Sequence, residues 1–220
     1  AQTFSETDRL IASDRSERDR FGQDVAIDGN YAVVGAYGEG NGISLNRGAV
    51  YIYEYILGDW IEIQKLEASD QENYDRFGWS VAIDGDYIVV GANGEDEDEN
   101  QLTGRSKAGS AYIFKNINGT WTEVQKIVAS DRSIDDEFGW SVDISDSTII
   151  VGAHQDFEDE NGLFPIHHAG SAYIFELNTS SVWVETQKIV GSGRRADINY
   201  PNGYTGEDLS DQFGHYVSVS

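Results

Sequence analysis

The chain has 220 residues, and its 39 acidic and 15 basic side chains give a formal net charge of −24. A surface this acidic repels phosphate backbones and anionic lipids, so nucleic acid and membrane surfaces are excluded as preferred partners. The apolar runs are far shorter than the roughly 20 residues that span a bilayer, so we expect no membrane insertion. Aromatic residues make up 12% of the chain, which favours a packed core over disorder. Cysteine is absent, which excludes disulfides and zinc–thiolate sites.

A unit of roughly 60 residues recurs along the chain. A Phe-Gly pair occurs four times, and a Gly-Ala pair follows thirteen residues after the glycine of each of the first three. A later glycine opens an aromatic run in each unit, and a tryptophan followed by Gln-Lys closes the unit. The Phe-Gly pairs are Phe21-Gly22, Phe77-Gly78, Phe138-Gly139 and Phe213-Gly214, and the tryptophans are Trp60, Trp121 and Trp183.

Each unit predicts four short strands in chain order. In the second unit, the first strand spans Gly78 to Ile83, where apolar residues alternate with small or polar ones before a tight Asp-Gly turn. The second strand, Tyr87 to Val90, is a continuous β-branched and aromatic run, which is typical of a strand buried on both faces. The third and fourth strands are Ala111 to Phe114 and Trp121 to Ile127. The sequence therefore predicts an all-β fold of four-stranded antiparallel blades packed as a β-propeller.

The repeat divides the chain into three complete blades and two partial ones. The complete blades are predicted at 21–76, 77–137 and 138–212, and the third contains a long insertion. Residues 1–20 are predicted to contain the last strand of a preceding blade, and residues 213–220 the first strand of a further one. Because propellers have about four to eight blades, we expect either a missing remainder of the chain or self-association to complete the ring.

These motifs resemble the FG-GAP repeat, which builds the β-propeller of integrin α subunits and of many secreted bacterial proteins. The match is closest to the bacterial variant, with Ala-Ser-Asp before Phe-Gly and Trp…Gln-Lys in the last strand. The resemblance implies an extracellular or cell-surface protein. It does not extend to the calcium loop of integrin repeats, because a turn such as Asp84-Gly85-Asp86 cannot supply six to eight oxygen ligands.

Acidic residues suggest two kinds of cation site. An aspartate seven residues before Phe-Gly and a second one two residues before it recur in three units, as Asp14 and Asp19 do in the first. Such a pair either binds a cation or accepts backbone N–H bonds in a turn. Acid runs also follow the second strands of units two and three; their oxygens suit calcium, and a solvated charge run is the alternative. The candidate calcium ligands there are Asp96, Asp98, Asp156 and Asp159.

The tryptophans fall into two classes by their place in the repeat. Trp60, Trp121 and Trp183 recur at one position and are predicted to be packing residues. Trp79 and Trp140 instead follow Phe-Gly on the first strand, near the predicted propeller axis, where the other copies have Gln23 and His215. This variation leaves open a role in lining a channel or a pocket.

The loop lengths predict which end of the blades binds a ligand. The connections between the second and third strands, and those from the fourth strand to the next blade, differ in length, whereas the other turns are short. Long variable loops on a rigid scaffold concentrate function, and Tyr and Arg are enriched at binding hot spots. The longest insertion, 193–211, supplies such residues, although it could instead cover an exposed blade edge. The candidate ligand-binding residues are Arg194, Arg195, Tyr200 and Tyr204, with His167 and His168 in the preceding loop.

Two functions are consistent with these observations. The first is a secreted or cell-surface adhesion module that binds a protein or a carbohydrate, with calcium as a possible cofactor. The alternative is a structural scaffold within a larger extracellular protein. The sequence has no Gly-x-Ser-x-Gly elbow, P-loop or His-Glu-x-x-His motif, so we do not predict an enzyme.

Overall fold

The computed structural model of the chain describes residues 8–40, 45–98, 104–157, 169–191 and 213–220. Within these residues, twelve strands form three four-stranded antiparallel sheets, and there is no helix. The predicted all-β fold of repeated blades is thereby confirmed. The described part of the chain accordingly contains no apolar helix of membrane-spanning length.

Each sheet is an up-and-down meander in which the strands pair in chain order. The third and fourth strands of every blade share one β-bulge, which keeps the three blades alike. Blade one consists of β1 (Val25–Asp28), β2 (Tyr31–Ala36), β3 (Ala49–Ile56) and β4 (Asp59–Leu66). Blade two consists of β5 (Ser80–Asp84), β6 (Tyr87–Ala92), β7 (Ser110–Ile117) and β8 (Thr120–Ile127). Blade three consists of β9 (Ser141–Ser145), β10 (Thr148–Ala153), β11 (Ser171–Leu177) and β12 (Trp183–Val190).

The hydrophobic core lies between blades, and two phenylalanines of the Phe-Gly pairs, Phe77 and Phe138, are buried in it. Phe77 is fully buried and meets Tyr112 and Phe114 edge-on, with ring centroids 5.4 and 5.9 Å apart. The same cluster includes Val33 and Ile52 of blade one, so these side chains hold two blades together. Burying one phenylalanine side chain such as that of Phe77 stabilises the fold by about 2 kcal/mol.

The first strands lie where neighbouring blades approach most closely, at the inner edge of the array. There β1 contacts β5, and β5 contacts β9. The glycine of each Gly-Ala pair makes this approach possible: a Cβ atom on Gly91 would lie 2.1 Å from the carbonyl oxygen of Gly139 in the next blade. The equivalent contacts join Gly35 to Gly78 and Gly152 to Gly214.

Side-chain hydrogen bonds connect neighbouring blades at their outer edge. The side-chain amide of Gln64 donates to the carbonyl oxygen of Trp121 at 2.7 Å and accepts its backbone N–H at 2.9 Å. Gln125 makes the same two bonds to Trp183. Trp121 and Trp183 are buried, as predicted for packing residues, whereas Trp60 is only half-buried. Trp121 owes part of its burial to Tyr31 of the preceding blade, whose ring meets it edge-on at 5.5 Å.

The predicted partial blades form no strand in the described residues. Residues 213–220 lie against blade three as an incoming first strand would, because Ser141 Oγ donates to the carbonyl oxygen of Gly214 and the N–H of Val219 donates to Asp143. No second strand accompanies this segment within the described residues, so no ladder forms and the strand prediction is not met. Residues 8–12 also lack strand structure, although Leu10 and Ala12 pack on blade one. Residues 1–7 and the insertion 193–211 lie outside the described residues.

Candidate ligand-binding face

An acid–lysine cluster occurs in each blade at its loop end, the end where the variable connections emerge. In blade two, the Tyr112 hydroxyl oxygen lies 2.8 Å from Asp70 Oδ1 and 2.7 Å from Glu95 Oε2. Lys126 Nζ lies 2.7 Å from Asp70 and 3.3 Å from Glu95, over the Tyr112 ring. The buried ammonium of Lys126 lies between two carboxylates. These opposite charges offset the free energy that burial of an unpaired charge would cost.

The other two blades repeat this cluster with a tyrosine, a lysine and two acids, although the second acid is an aspartate in blade three and a glutamate in the other two. The cluster of blade one is the most open, because the side chain of Asp14 is 46% exposed whereas that of Asp70 is 8% exposed. Burial raises the pKa of the Tyr112 hydroxyl, so the phenol stays protonated and serves as a hydrogen-bond donor. The clusters consist of Asp14, Glu39, Tyr51 and Lys65 in blade one, and of Asp131, Asp156, Tyr173 and Lys188 in blade three.

The two aspartates that precede each Phe-Gly pair have different roles. The second one accepts a backbone N–H bond, as Asp19 does from Ser16, so the turn hypothesis holds for it. The first one, Asp14 in blade one, instead accepts bonds from the side chains of Tyr51 and Lys65. Burial opposes ionisation of Asp14, but these two bonds outweigh it and hold the pKa of Asp14 below its ordinary value.

The predicted calcium ligands do not gather into one site in the described residues. Asp156 is fully buried and lies 2.7 Å from Lys188 Nζ. Asp96 Oδ1 accepts the backbone N–H of Lys107, and Asp98 lines an open groove of about 620 Å³ between blades two and three. Asp159 lies outside the described residues. Across the described ranges, no three histidine or acidic side chains are arranged to hold a metal ion.

A row of aromatic rings, here called the ring row, crosses the blades at their inner edge and at the same loop end. Trp79 lies between Tyr37 and Trp140, with ring centroids 4.8 and 4.7 Å away. Trp140 then meets His154 at 3.9 Å and His215 at 5.3 Å. His154 is buried, whereas the other four rings are half-buried and so remain partly open to solvent.

The ring row is built from repeat positions whose residues change between blades. One position follows Phe-Gly, and the other follows Gly-Ala. A third changing position precedes Phe-Gly and adds cations in two blades: the guanidinium of Arg20 lies 5.7 Å over Tyr37, and that of Arg76 lies 5.5 Å over Trp79. The residues are Gln23, Trp79, Trp140 and His215 after Phe-Gly, Tyr37, Asn93 and His154 after Gly-Ala, and Arg20, Arg76 and Glu137 before Phe-Gly.

The two ends of the ring row differ in charge. Arginines flank it at blades one and two, whereas blade three contributes Glu137, whose Oε2 lies 3.8 Å from His154 Nδ1. Burial raises the pKa of Glu137, and the nearby charges of Arg76 and Lys107 partly oppose this shift. The face therefore has a cationic end and an end that carries the Glu137 carboxyl with the imidazoles of His154 and His215.

Sequence reasoning identified only part of this face. The hypothesis that Trp79 and Trp140 line a channel or a pocket stays a prediction, and the structure places the two rings in contact with one another in the ring row. Sequence reasoning missed Tyr37 and His154, although both stand in the register position directly after Gly-Ala, where residues differ between repeats. The remaining predicted ligand contacts stay predictions, because they lie outside the described residues: Arg194, Arg195, Tyr200, Tyr204, His167 and His168.

Comparison with known proteins yields one family. The FG-GAP repeat matches the chain three times, over residues 4–53, 60–114 and 121–175, which together make up well over half of its length. Two of the three matches begin at Trp60 and Trp121, so each runs from the fourth strand of one blade to the third strand of the next. A search of curated proteins finds no significant match.

Proposed function

We propose, because this chain belongs to the FG-GAP repeat family, that it is an extracellular, non-catalytic binding module. Its ligand is a protein or a carbohydrate, and the contacts fall on the loop end of the blades, centred on the ring row. Members of this family typically occur in extracellular proteins and are generally not catalysts, which supports the class of function. The fold alone does not decide the ligand, because function lies in the sites that a fold presents.

The observation that carries the proposal is the half-buried state of a ring row whose residues change between repeats. At the packing position of the repeat, by contrast, Trp121 and Trp183 are buried against a tyrosine ring of the preceding blade. Trp79 and Trp140 instead keep part of their surface open beside one another. Tryptophan, tyrosine and arginine are the residues most enriched at binding hot spots, and the ring row with its flanking arginines combines all three.

Chain connectivity supports the same face. His154 stands four residues before 158–168, the segment that carries His167 and His168, and His215 follows the insertion 193–211. Both long loops are therefore attached to the histidine end of the ring row. We propose that Arg194, Arg195, Tyr200 and Tyr204 add contacts from there, since long loops on a rigid scaffold carry function.

A scaffold role is the second candidate, and exposed apolar residues on blade one favour it. Val25 is 63% exposed, whereas Val81, which occupies the same position in blade two, is 4% exposed. Blade one thus presents to solvent a face that the next blade buries. Under this alternative the face docks against a further blade, and the protein serves assembly without a ligand of its own.

Glycan and protein-ligand arrays distinguish the two functions. We expect the purified chain to give reproducible hits, and we expect the double variant Trp79→Ala/Trp140→Ala to lose them. Trp60→Ala is the matched control, because Trp60 is also half-buried but lies on the outer strand β4, away from the ring row. Arrays without hits would support the scaffold, and hits that survive the double variant would contradict the ring row as the binding site.

The insertion is tested separately with the same arrays. Replacing Arg194, Arg195, Tyr200 and Tyr204 by alanine should weaken the hits and leave the melting temperature unchanged. Undiminished binding would exclude these four side chains from the ligand contact. A large fall in melting temperature would instead indicate that the insertion covers a blade edge.

A further inference from the structure

The side chains at the cationic end of the ring row point to the chemistry of the ligand, given the binding function proposed above. We propose that Arg20, Tyr37, Arg76 and Trp79, here called the arginine patch, bind the carboxylate of an aspartate or glutamate side chain on a protein partner. The partner would thus contribute an acidic anchor residue to the loop end of this acidic protein.

The arginine patch is continuous across blades one and two. The Arg20 guanidinium lies over the Tyr37 ring, the Tyr37 ring meets Trp79, and the Arg76 guanidinium lies over Trp79. Each step in this chain is a contact of 5.7 Å or less between the centres concerned. Tyr37 of blade one and Trp79 of blade two lie 4.8 Å apart, so a ligand that contacts both rings meets both blades.

The groups that the arginine patch offers are hydrogen-bond donors. A guanidinium and an indole N–H only donate, and the phenol of Tyr37 can donate as well. Neither Arg20 nor Arg76 forms an ion pair within the described residues, although the chain has 39 acidic residues. The lysines of the three acid–lysine clusters, by contrast, each bind at least two carboxylates.

The backbone conformation at the two arginines is fixed by the repeat. Arg20 has a φ of 60° and Arg76 a φ of 59°, in the left-handed region that favours glycine. Glu137 has the same conformation at the equivalent position, so the backbone shape belongs to the repeat and the arginine side chain does not. The Arg76 N–H is also held by the carbonyl oxygen of Asn46 at 2.9 Å. Such preorganisation lowers the entropy lost when a ligand binds.

A carboxylate is the group that fits these donors. A guanidinium stacked on an aromatic ring keeps its N–H rim free, and that rim matches a planar carboxylate with two parallel bonds. A polyuronate would also carry carboxylates, but its dense charge is repelled by a protein with a net charge of −24. The combination of Arg, Tyr and Trp favours a protein side chain, because these residues mark protein–protein hot spots.

The test uses the indole N–H signals of the five tryptophans in the full chain, observed by two-dimensional NMR. The probes are three synthetic Gly-Ser dodecapeptides that carry Glu, Gln or Lys at the same three positions, and one tetragalacturonate. We expect the Glu peptide to shift the signals of Trp79 and Trp140, to leave those of the buried Trp121 and Trp183 unchanged, and to bind at least tenfold more tightly than the Gln peptide.

Variants of the patch separate charge from geometry. Arg76→Gln and Arg20→Gln should each weaken Glu-peptide binding at least tenfold, and Arg76→Lys should restore only part of it because an ammonium lacks the planar fork. Arg15→Gln is the matched control, since Arg15 is exposed and makes no ring contact among the described residues. Unchanged signals elsewhere in each spectrum establish that the variant is folded.

Several results would overturn the inference. Equal binding of the Gln or Lys peptide would exclude a carboxylate anchor, and so would a lack of any shift with the Glu peptide. Binding of tetragalacturonate alone would identify a carbohydrate ligand and refute the protein partner. In each of these cases the array experiment above still decides independently whether the ring row binds ligands at all.

Discussion

The acid–lysine clusters and the ring row lie at the same end of the same blades, yet they differ in how they vary from repeat to repeat. The clusters keep a tyrosine, a lysine and two acids in all three blades, and the oxygen and nitrogen atoms of blade two bind one another. The ring row occupies fixed backbone positions whose side chains change, from Gln23 to Trp79 to His215. Constant positions thus hold the blade together, and changing positions are available for a ligand.

Burial explains the difference. Glu95 and Asp156 are fully buried, and a buried charge that loses its partner is strongly destabilising, so neither the acid nor its lysine can change alone. Trp79 and Trp140 are half-buried, and a substitution there removes only part of a ring contact. In blade one the same repeat position carries Gln23, which is exposed.

The largest effect is expected in the cluster of blade two. Lys126→Met leaves Asp70 and Glu95 buried without a cation and should lower the free energy of unfolding by about 4 kcal/mol. Lys65→Met in blade one is the matched comparison and should cost less, about 2 kcal/mol, because Asp14 is 46% exposed and water can solvate it, while Glu39 is buried and loses its cation. Urea denaturation measures both values. Equal losses would contradict the view that burial makes the clusters invariant.

A slightly smaller effect is expected where two blades meet. Gly91→Ala places a Cβ atom 2.1 Å from the carbonyl oxygen of Gly139, and we expect it to cost about 3 kcal/mol. Gly104→Ala is the control, because a Cβ atom added to Gly104 would have no other atom within 4 Å. It should change the stability by no more than about 0.5 kcal/mol. Calorimetric melting of both variants tests this, and a tolerated Gly91→Ala would exclude close packing at this point.

The fold could be predicted from the sequence further than the site could. Alternating and continuous apolar runs are local signals. The strand bounds that they predict in blade two therefore lie close to those of β5, β6, β7 and β8. The partners of Asp70 were not predictable, because Tyr112 and Lys126 follow it by 42 and 56 residues and meet it only when the blade forms. The segment 213–220 has a strand pattern but no second strand among the described residues, and a ladder needs both.

The smallest effect concerns the pH dependence of stability. Burial raises the pKa of Asp75 to about 7, and the charge of Glu95 adds to the shift. The folded state therefore binds this proton more tightly than the unfolded chain, whose aspartate has its ordinary pKa near 3.8. The resulting stabilisation is complete in acid and is lost as the pH rises from about 4 through 7.

Asp75→Asn removes this titration and keeps an oxygen that accepts the N–H of Glu72. We expect the free energy of unfolding of the variant to fall less between pH 5 and pH 8 than that of the natural sequence. Asp59→Asn, at an exposed position, should reproduce the natural pH slope. If Asp75→Asn has the natural slope as well, Asp75 does not carry a raised pKa.

The most direct test of the contrast between constant and changing positions is the double variant Trp79→Gln/Trp140→Gln, which gives blades two and three the residue that blade one has at Gln23. Its unfolding by urea is measured beside Trp121→Ala, which should lose about 4 kcal/mol as a buried packing residue. The account predicts that the double variant loses no more than about 1 kcal/mol, and that it gives no hits on the ligand arrays. A loss of stability as large as that of Trp121→Ala, or hits that persist, would contradict it.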